Sequence, residues 1–271
     1  MIWLSTNMRD ETNVLEWIAY HLIIGFDSIL IIDHASKIPI QSQVSKYKFR
    51  DRVKVIRLGA NYHAGNIKKH ILNNLVAPFM KSRPKVEWFI HLDGDEYINL
   101  NGNFNSVRKF LNRYPQAQQV ALNWVCFGSN YFDQHPKGRV IKNFTRCSVR
   151  CPKMEVKCFV RPQKILNLPQ VHYWNIKNPK LAFDANGRRW VARPSNKKSL
   201  GTKDAAYINH YVYQSYERYL ARKGNRKNDC GQVCKNKMNR AQLHRKYNNT
   251  VNKSLVGFAP KVNRFLATQL I

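Results

Sequence analysis

The sequence predicts an α/β protein built on an open, mostly parallel central sheet flanked by helices. Three observations point there. Apolar runs and amphipathic stretches alternate through the first 127 residues. The runs are continuously apolar rather than every second residue, the pattern of strands buried on both faces. Two of them end in an acid, Asp33 and Asp93. In a sheet of this kind ligands bind at the carboxyl ends of the strands.

Taken in order, Ile2-Trp3-Leu4 opens a short buried strand that runs into Ser5, Thr6 and Asn7. Val14, Leu15, Ile18, Leu22 and Ile23 fall on one helical face, and Gly25 closes that helix. Ser28 to Asp33 is the second strand, and Val53, Val55, Ile56 and Leu58 make the third. Ile67, Ile71, Leu72, Leu75 and Phe79 predict a second helix, beginning next to Asn66. Trp88-Phe89-Ile90-His91-Leu92-Asp93 is another buried strand. Val107, Phe110 and Leu111 predict a short helix, and 120–127 a further strand.

The second half is less regular. Residues 128–155 read as loop, Val156 to Val160 as a strand followed by Arg161-Pro162, and 171–174 as a short strand or turn. Residues 178–203 form a polar excursion. Tyr207, Ile208, Tyr211, Tyr219 and Leu220 read as a helix that stops near Gly224, and 225–256 is very basic. The chain is thus expected to divide into an α/β half at 1–127, a less regular half of the same domain at 128–224, and a basic segment at 225–271.

With 271 residues, 44% of them hydrophobic, the chain can bury one substantial core. Its 46 Lys+Arg against 16 Asp+Glu leave a formal charge of +30, a field that attracts nucleic acid, an anionic membrane surface or phosphorylated small molecules. The basic residues are dispersed, and no zinc-finger, RNP or recognition-helix pattern is present, so nucleic acid is not the expected partner. A nucleotidyl- or phosphotransferase is the other alternative, but no Walker or kinase signature supports it. No stretch approaches the ~20 apolar residues that span a bilayer, and the amino terminus is too short for a signal peptide. A cytoplasmic protein that touches an anionic membrane only peripherally is therefore expected, with its cysteines reduced. Cys147/Cys151 and Cys230/Cys234 share a C-x3-C spacing, and Cys126 and Cys158 stand alone. Zinc knuckles more often use other spacings.

The chemistry concentrates at Asp93-Gly94-Asp95-Glu96. Three carboxylates crowded at a strand end repel one another, and a cation relieves that repulsion. Oxygen ligands on a turn suit Mg²⁺ or Mn²⁺, and Gly94 lets the chain turn and a phosphate approach. A divalent ion at such a place would neutralise a departing diphosphate. Asp33 reads either as a contact to a base or ribose or as an Asx turn. His210 and His172, flanked by aromatics, read either as ligands or as core histidines.

Several segments in order resemble the family-92-type glycosyltransferases, within the glycosyltransferase-2-like GT-A class. They are Arg9-Asp10-Glu11, Leu15 to His21, Gly25-Phe26-Asp27, Ile32 to Ser36, Trp88 to Ile98, Phe127 to Asn130, Val156 to Pro162, His172, Ile208 to Tyr211 and Ser215-Tyr216-Glu217. The resemblance implies a GT-A, Rossmann-like fold, a divalent metal (Mn²⁺ or Mg²⁺), a UDP-sugar donor, inversion at the anomeric carbon, and an oligosaccharide or glycoprotein glycan acceptor. It makes 1–127 the nucleotide-sugar-binding half and 128–224 the acceptor-binding and catalytic half, makes Asp93 and Asp95 the DxD pair, and brings His210 to the metal. Ser5, Thr6, Asn7, Asp33, Asn66, Asp93, Gly94 and Arg161 are then expected around the donor. His34 departs from the pattern, where an Asn often follows the Asp. The base that takes the acceptor's proton is expected downstream of the DxD, with Glu155 first, then Asp133 and Asp184, and Asp204 in the same region. Trp124, Tyr131, Tyr173 and Trp174 are expected to offer stacking surfaces for sugar rings.

Overall fold

The structure is a computed structural model, which describes residues 1–59, 62, 66–149, 155–191, 201–224 and 238–271. The order of elements is β1 (Ile2–Met8), α1 (Val14–Ile23), β2 (Ser28–His34), α2 (Ile40–Val44), β3 (Val53–Leu58), α3 (Ile67–Ile71), α4 (Ala77–Lys81), β4 (Trp88–His91), β5 (Glu96–Asn99), α5 (Val107–Leu111) and β6 (Gln119–Cys126). Then follow α6 (Val140–Asn143), β7 (Arg146–Cys147), β8 (Val156–Val160), β9 (Ile165–Gln170), β10 (Tyr173–Ile176), β11 (Ala182–Asp184), β12 (Tyr207–His210), α7 (Tyr216–Tyr219), α8 (Arg240–Arg245), β13 (Thr250–Val251) and α9 (Phe258–Gln269). A π-type segment, Leu72–Val76, joins α3 to α4, so the expected second helix is continuous.

The central sheet runs β3-β2-β1-β4-β8-β6-β12-β5, with β11 beside β6. β3, β2, β1 and β4 are mutually parallel, β8 is antiparallel to both β4 and β6, and β6 is parallel to β12 and β11. The expected parallel α/β sheet is thus present, and strands from both halves of the chain interleave in it. Successive residues of β2 show why its strands read as solid apolar runs. Ile29 and Ile31 pack with α1, α5 and α9 on one face, while Leu30 and Ile32 pack with α3 and α4 on the other. Side chains alternate across a strand, so burial on both faces needs apolar residues at every position.

The second half corrects the sequence reading in three places. The segment around Tyr207 is not helical: β12 is a strand wedged between β6, with Ile208 opposite Trp124, and β5, with His210 opposite Glu96. Four residues are too few for periodicity to separate helix from strand. The helix begins only at Tyr216, where Ser215 accepts a hydrogen bond from the Arg218 amide. The end of the chain is folded as well as basic. Asn239 and Gln242 form a capping box on α8, and α9 buries Ala259, Val262 and Leu266, with Phe258 edge-on to Tyr20 of α1. The loop at 128–155 carries α6 and β7, and β7 pairs with β13. A Cβ on Gly128 would come within 2.5 Å of the Asn248 Oδ1, so only glycine fits where this loop crosses the C-terminal segment.

Cys126, Cys147 and Cys158 are buried. Burial pushes the Cys147 thiol up to about 12. Cys151, Cys230 and Cys234 lie outside the described residues. Among the described residues, no helix is long and apolar enough to cross a membrane.

Candidate active site

β4 delivers Asp93 to the sheet's carboxyl end, and the turn at 93–95 leads straight into β5. The Asp93 amide donates to the Glu96 Oε2 at 2.8 Å, which ties this turn shut. Gly94 serves the turn from the inside. A Cβ there would stand 3.0 Å from the Glu11 Cγ and 3.2 Å from the Met8 Cε, so the turn needs glycine for its own packing.

The carboxylates of the DxD pair are met by separate cations. Asp93 is bonded by Lys68 of α3 and by Lys157 of β8, the latter at 3.2 Å. Lys157 also lies 3.6 Å from Glu96. Burial by itself would raise the Asp93 carboxyl, but Lys157 and Lys68 overcome it and hold it well below the usual range. Glu96 goes the other way: burial pushes it up to about 7 against the pull of Lys157. Burial would lower Lys157, yet Asp93 and Glu96 keep it charged, above its ordinary value.

Asp95 is held by Arg222, at 2.7 Å to Oδ2, and its backbone carbonyl accepts from the Tyr211 amide at 2.9 Å. Arg222 is steadied by Glu11 at 3.7 Å, and Glu11 in turn by Arg218 at 2.8 Å. The Arg9-Asp10-Glu11 segment thus supplies a carboxylate that positions the arginines of the C-terminal half. His210 Nε2 lies 3.6 Å from the Asp95 Oδ1, beyond hydrogen-bond reach, and its buried Nδ1 has no hydrogen-bond partner. Burial would lower this imidazole, but Asp95 raises it, so positive charge is favoured between the two side chains.

The expected metal trio is therefore not assembled. Among the described residues, no group of three His, Cys, Asp or Glu side chains could hold a metal ion. Asp93 is committed to two lysines, which leaves Asp95 and His210 as a pair. Magnesium-type sites commonly take one or two protein ligands and complete their shell with phosphate oxygens and water. The pair fits a divalent ion on those terms, since Asp95 Oδ1 and His210 Nε2 face each other at 3.6 Å with no hydrogen bond between them.

The remaining expected donor contacts divide clearly. Ser5 Oγ and Asn7 Oδ1, on one face of β1, hold the His91 ring at 3.0 and 3.2 Å, and Thr6 Oγ1 is buried without a hydrogen-bond partner. Burial, with Lys157 and Lys68 nearby, lowers the His91 imidazole well below its ordinary value. Asn66 caps α3 by accepting from the Lys69 amide at 3.0 Å. Asp33 is filled by its own surroundings: the Ser36 and Ile40 amides and Arg57 donate to it at 2.9, 3.1 and 2.8 Å. It makes the Asx turn. Arg161 sits at the opposite end of the sheet, donating to the Ala117 and Pro115 carbonyls at 2.8 Å each, with its guanidinium over Trp88. It cannot reach the donor, because β8 runs antiparallel and carries Lys157, not Arg161, to the site.

Three of the four base candidates are consumed elsewhere. Asp133 is bound by Arg240 and by His244 at 3.0 Å. Asp184 closes a turn through the Asn186 and Arg188 amides and the Arg188 side chain. Asp204 accepts from Asn123 and Asn186. Only Glu155 stands beside the cluster, with its carboxylate 3.7 Å from the His172 Nε2. Of the four aromatics expected to stack on sugars, Trp124 alone lines this region, its ring 4.3 Å from that of His210 and 5.3 Å from that of His172. Trp174 is core against Phe89, Tyr173 packs on Trp190, and Tyr131 lies under Arg146. Lys68 and Arg222 went unread in the sequence. Neither stands in a run or motif that would single it out among 46 basic residues.

An open α/β sheet that gathers an acidic turn, two lysines, an arginine and a histidine at the carboxyl ends of its central strands is a GT-A-like domain. The chain belongs to glycosyltransferase family 92, whose model matches residues 6–255. A family 92 protein from Ricinus communis is 25% identical over 228 residues, covering 76% of this chain and 34% of the relative. Another from Oryza sativa subsp. japonica is 25% identical over 224 residues, covering 78% and 33%. The chain thus spans about a third of the length of these curated relatives. Among solved structures, HddC from Yersinia pseudotuberculosis has a TM-score of 0.38 at 10% identity, covering 68% of this chain and 90% of that one. S. aureus TarS in complex with UDP has a TM-score of 0.35 at 14% identity, covering 59% and 46%.

Proposed function

We propose that this protein transfers a sugar from a UDP-sugar to a hydroxyl of an oligosaccharide or glycoprotein glycan, with inversion at the anomeric carbon. The observation that carries the reading is the charge arrangement around the DxD turn. Two lysines and an arginine, each side chain at least mostly buried, converge with Asp93, Asp95 and His210 at the one end of the sheet where ligands bind. Preorganised cations of this kind stabilise the charge that develops on a departing diphosphate without having to reorganise.

Each residue then has a task. Lys157 and Lys68 neutralise the diphosphate as its bond to the sugar breaks, and Asp93 keeps both ammonium groups aimed. Arg222, braced by Glu11, holds Asp95 in place. Asp95 and His210 would hold Mn²⁺ or Mg²⁺. When bound, such an ion adds Lewis-acid neutralisation of the phosphates. Trp124 supplies the apolar surface on which the donor sugar rests. Acceptor activation falls to the Glu155 side, since Asp133, Asp184 and Asp204 are tied up in turns and ion pairs.

A donor screen tests this. UDP-, GDP- and CMP-sugars are incubated with Mn²⁺ and a glycan mixture, and released nucleotide and labelled product are measured. Turnover confined to UDP-sugars is expected, with loss in Lys157→Met. If no nucleotide sugar binds or turns over while duplex nucleic acid binds tightly, the proposal falls.

A further inference from the structure

Glu155 and His172 face each other across a gap that neither fills. His172 lies between β9 and β10, and Glu155 just before β8. Their nearest atoms, Nε2 and Oε2, are 3.7 Å apart, and both side chains are partly exposed, at 21% and 32%. The Nδ1 of His172 lies 3.3 Å from the Val156 carbonyl. A carbonyl only accepts, so the ring proton sits on Nδ1 and the lone pair of Nε2 points into the gap. At 3.7 Å the two acceptors leave no room for an atom in line between them, but both side chains are partly exposed, so an alcohol can approach from the open side and donate to Nε2.

The place is right for an acceptor. Trp124 lies between His172 and His210, with ring centroids at 5.3 and 4.3 Å, so one aromatic ring separates this gap from the diphosphate end of the site. The Trp124 Nε1 is buried with no hydrogen-bond partner. Lys157 Nζ lies 5.8 Å from the same ring. The charged groups that act on His172 are Glu155 beside it, Lys157 of β8, Lys68 of α3 and Asp93 after β4.

We infer that His172 is the catalytic base: its Nε2 takes the proton of the acceptor hydroxyl, and Glu155 is a positioning residue that steadies the imidazolium that forms. The inference rests on the transferase reading above. The acceptor oxygen forms its bond to the anomeric carbon as the carbon–oxygen bond to the diphosphate breaks. The electron pair of that bond leaves on the diphosphate, and the hydroxyl proton ends on Nε2, facing the Glu155 carboxylate. The local field supports the timing. In the free protein burial, then Lys157 and Lys68, lower the imidazole to about 4, so it is neutral and ready at pH 7. A bound diphosphate offsets the two lysines and makes the ring a stronger base when the donor is in place.

The experiment compares wild type, His172→Asn, His172→Gln and Glu155→Gln in the full chain, with the UDP-sugar found by the donor screen. Expected for either His172 variant is a fall in kcat of about 10²–10⁴-fold, with UDP affinity and Tm unchanged. The acid limb of the kcat profile should vanish in these variants and shift in Glu155→Gln, which should lose about tenfold. The two variants at 172 guard against one of them failing to fold. A kcat within threefold of wild type in either folded variant overturns the inference alone. So does an acid limb that survives in His172→Asn and disappears in Glu155→Gln, which would make the carboxylate the base. If wild type transfers no sugar from any donor, the transferase reading falls and takes this inference with it.

Discussion

The two ends of the central sheet are made from the same strands and finished in opposite ways. At the amino end of β1 and β4, the charged side chains are paired, although the Trp3 Nε1 is buried without a partner. Asp27 accepts from the Ile2 amide at 2.6 Å and from Arg108 at 2.8 Å, Arg52 donates to the Phe26 and Asp27 carbonyls, and Arg161 ties down the Ala117 and Pro115 carbonyls. At the carboxyl end, Thr6 Oγ1, Glu96 Oε1, Trp124 Nε1 and His210 Nδ1 are all buried without a hydrogen-bond partner. A buried polar atom left unpaired costs about 1–3 kcal/mol. Four such atoms gather around one acidic turn, where a bound ligand could satisfy them, whereas near the amino end of β1 the Trp3 ring, with its unpaired Nε1, packs against the Phe79 and Arg83 side chains.

The comparison can be broken most directly at Asp95. Asp95→Ala removes the carboxylate that Arg222 and His210 share, and transfer should fall by about 10³-fold. Calorimetric titration with Mn²⁺ should lose its binding signal in the same variant. If turnover and cation affinity both survive, the open end is not the active end.

A buried acid away from the open end sharpens the contrast in stability. Glu16 of α1 accepts from the Val140 and Ile141 amides at 2.9 and 3.0 Å, yet burial still pushes it up to about 7. Its folded value lies above its unfolded one, so the folded state holds the extra proton. Stability therefore falls as pH rises between about 4.5 and 7, by up to about 3 kcal/mol, and is flat for this group above that. Denaturant titrations of Glu16→Gln should show a shallower slope in that window. Glu96, also raised to about 7, adds a slope of the same sign, which the substitution leaves in place.

At the paired end, Arg161→Ala should cost about 1–3 kcal/mol of stability, because it strands two backbone carbonyls and uncovers Trp88. Its kcat should stay within about twofold of wild type, since a stability residue acts on folding rather than on turnover. A large loss of kcat in a stable Arg161 variant would undo the division between the ends. The smallest effect belongs to Asp133→Asn. It breaks an exposed ion pair with Arg240 and His244, and turnover should not change measurably.

The amino-acid sequence by itself determined the α/β class, the first four strands, the acidic turn after β4 and the family. Strands buried on both faces must be apolar throughout, and a motif that lies within one turn is read from consecutive residues. The DxD turn needs only Asp93, Gly94 and Asp95. What tertiary structure decided was every partner that arrives from far along the chain. Lys68, Lys157, Glu11 and Arg222 meet the acidic turn from α3, β8, the segment after β1 and the segment after α7; Glu11 and Lys157 stand in segments that resemble the family, but nothing local names their partners, and nothing local sets Lys68 or Arg222 apart from the other basic residues. Packing also chose a strand for Tyr207–His210, because Tyr207 and Ile208 suit a strand and the segment hydrogen-bonds to β6 on one side and β5 on the other. Direction made the last choice: β8 runs against its neighbours, and so Lys157 reaches the site while Arg161, four residues on, is sent to the far end of the sheet.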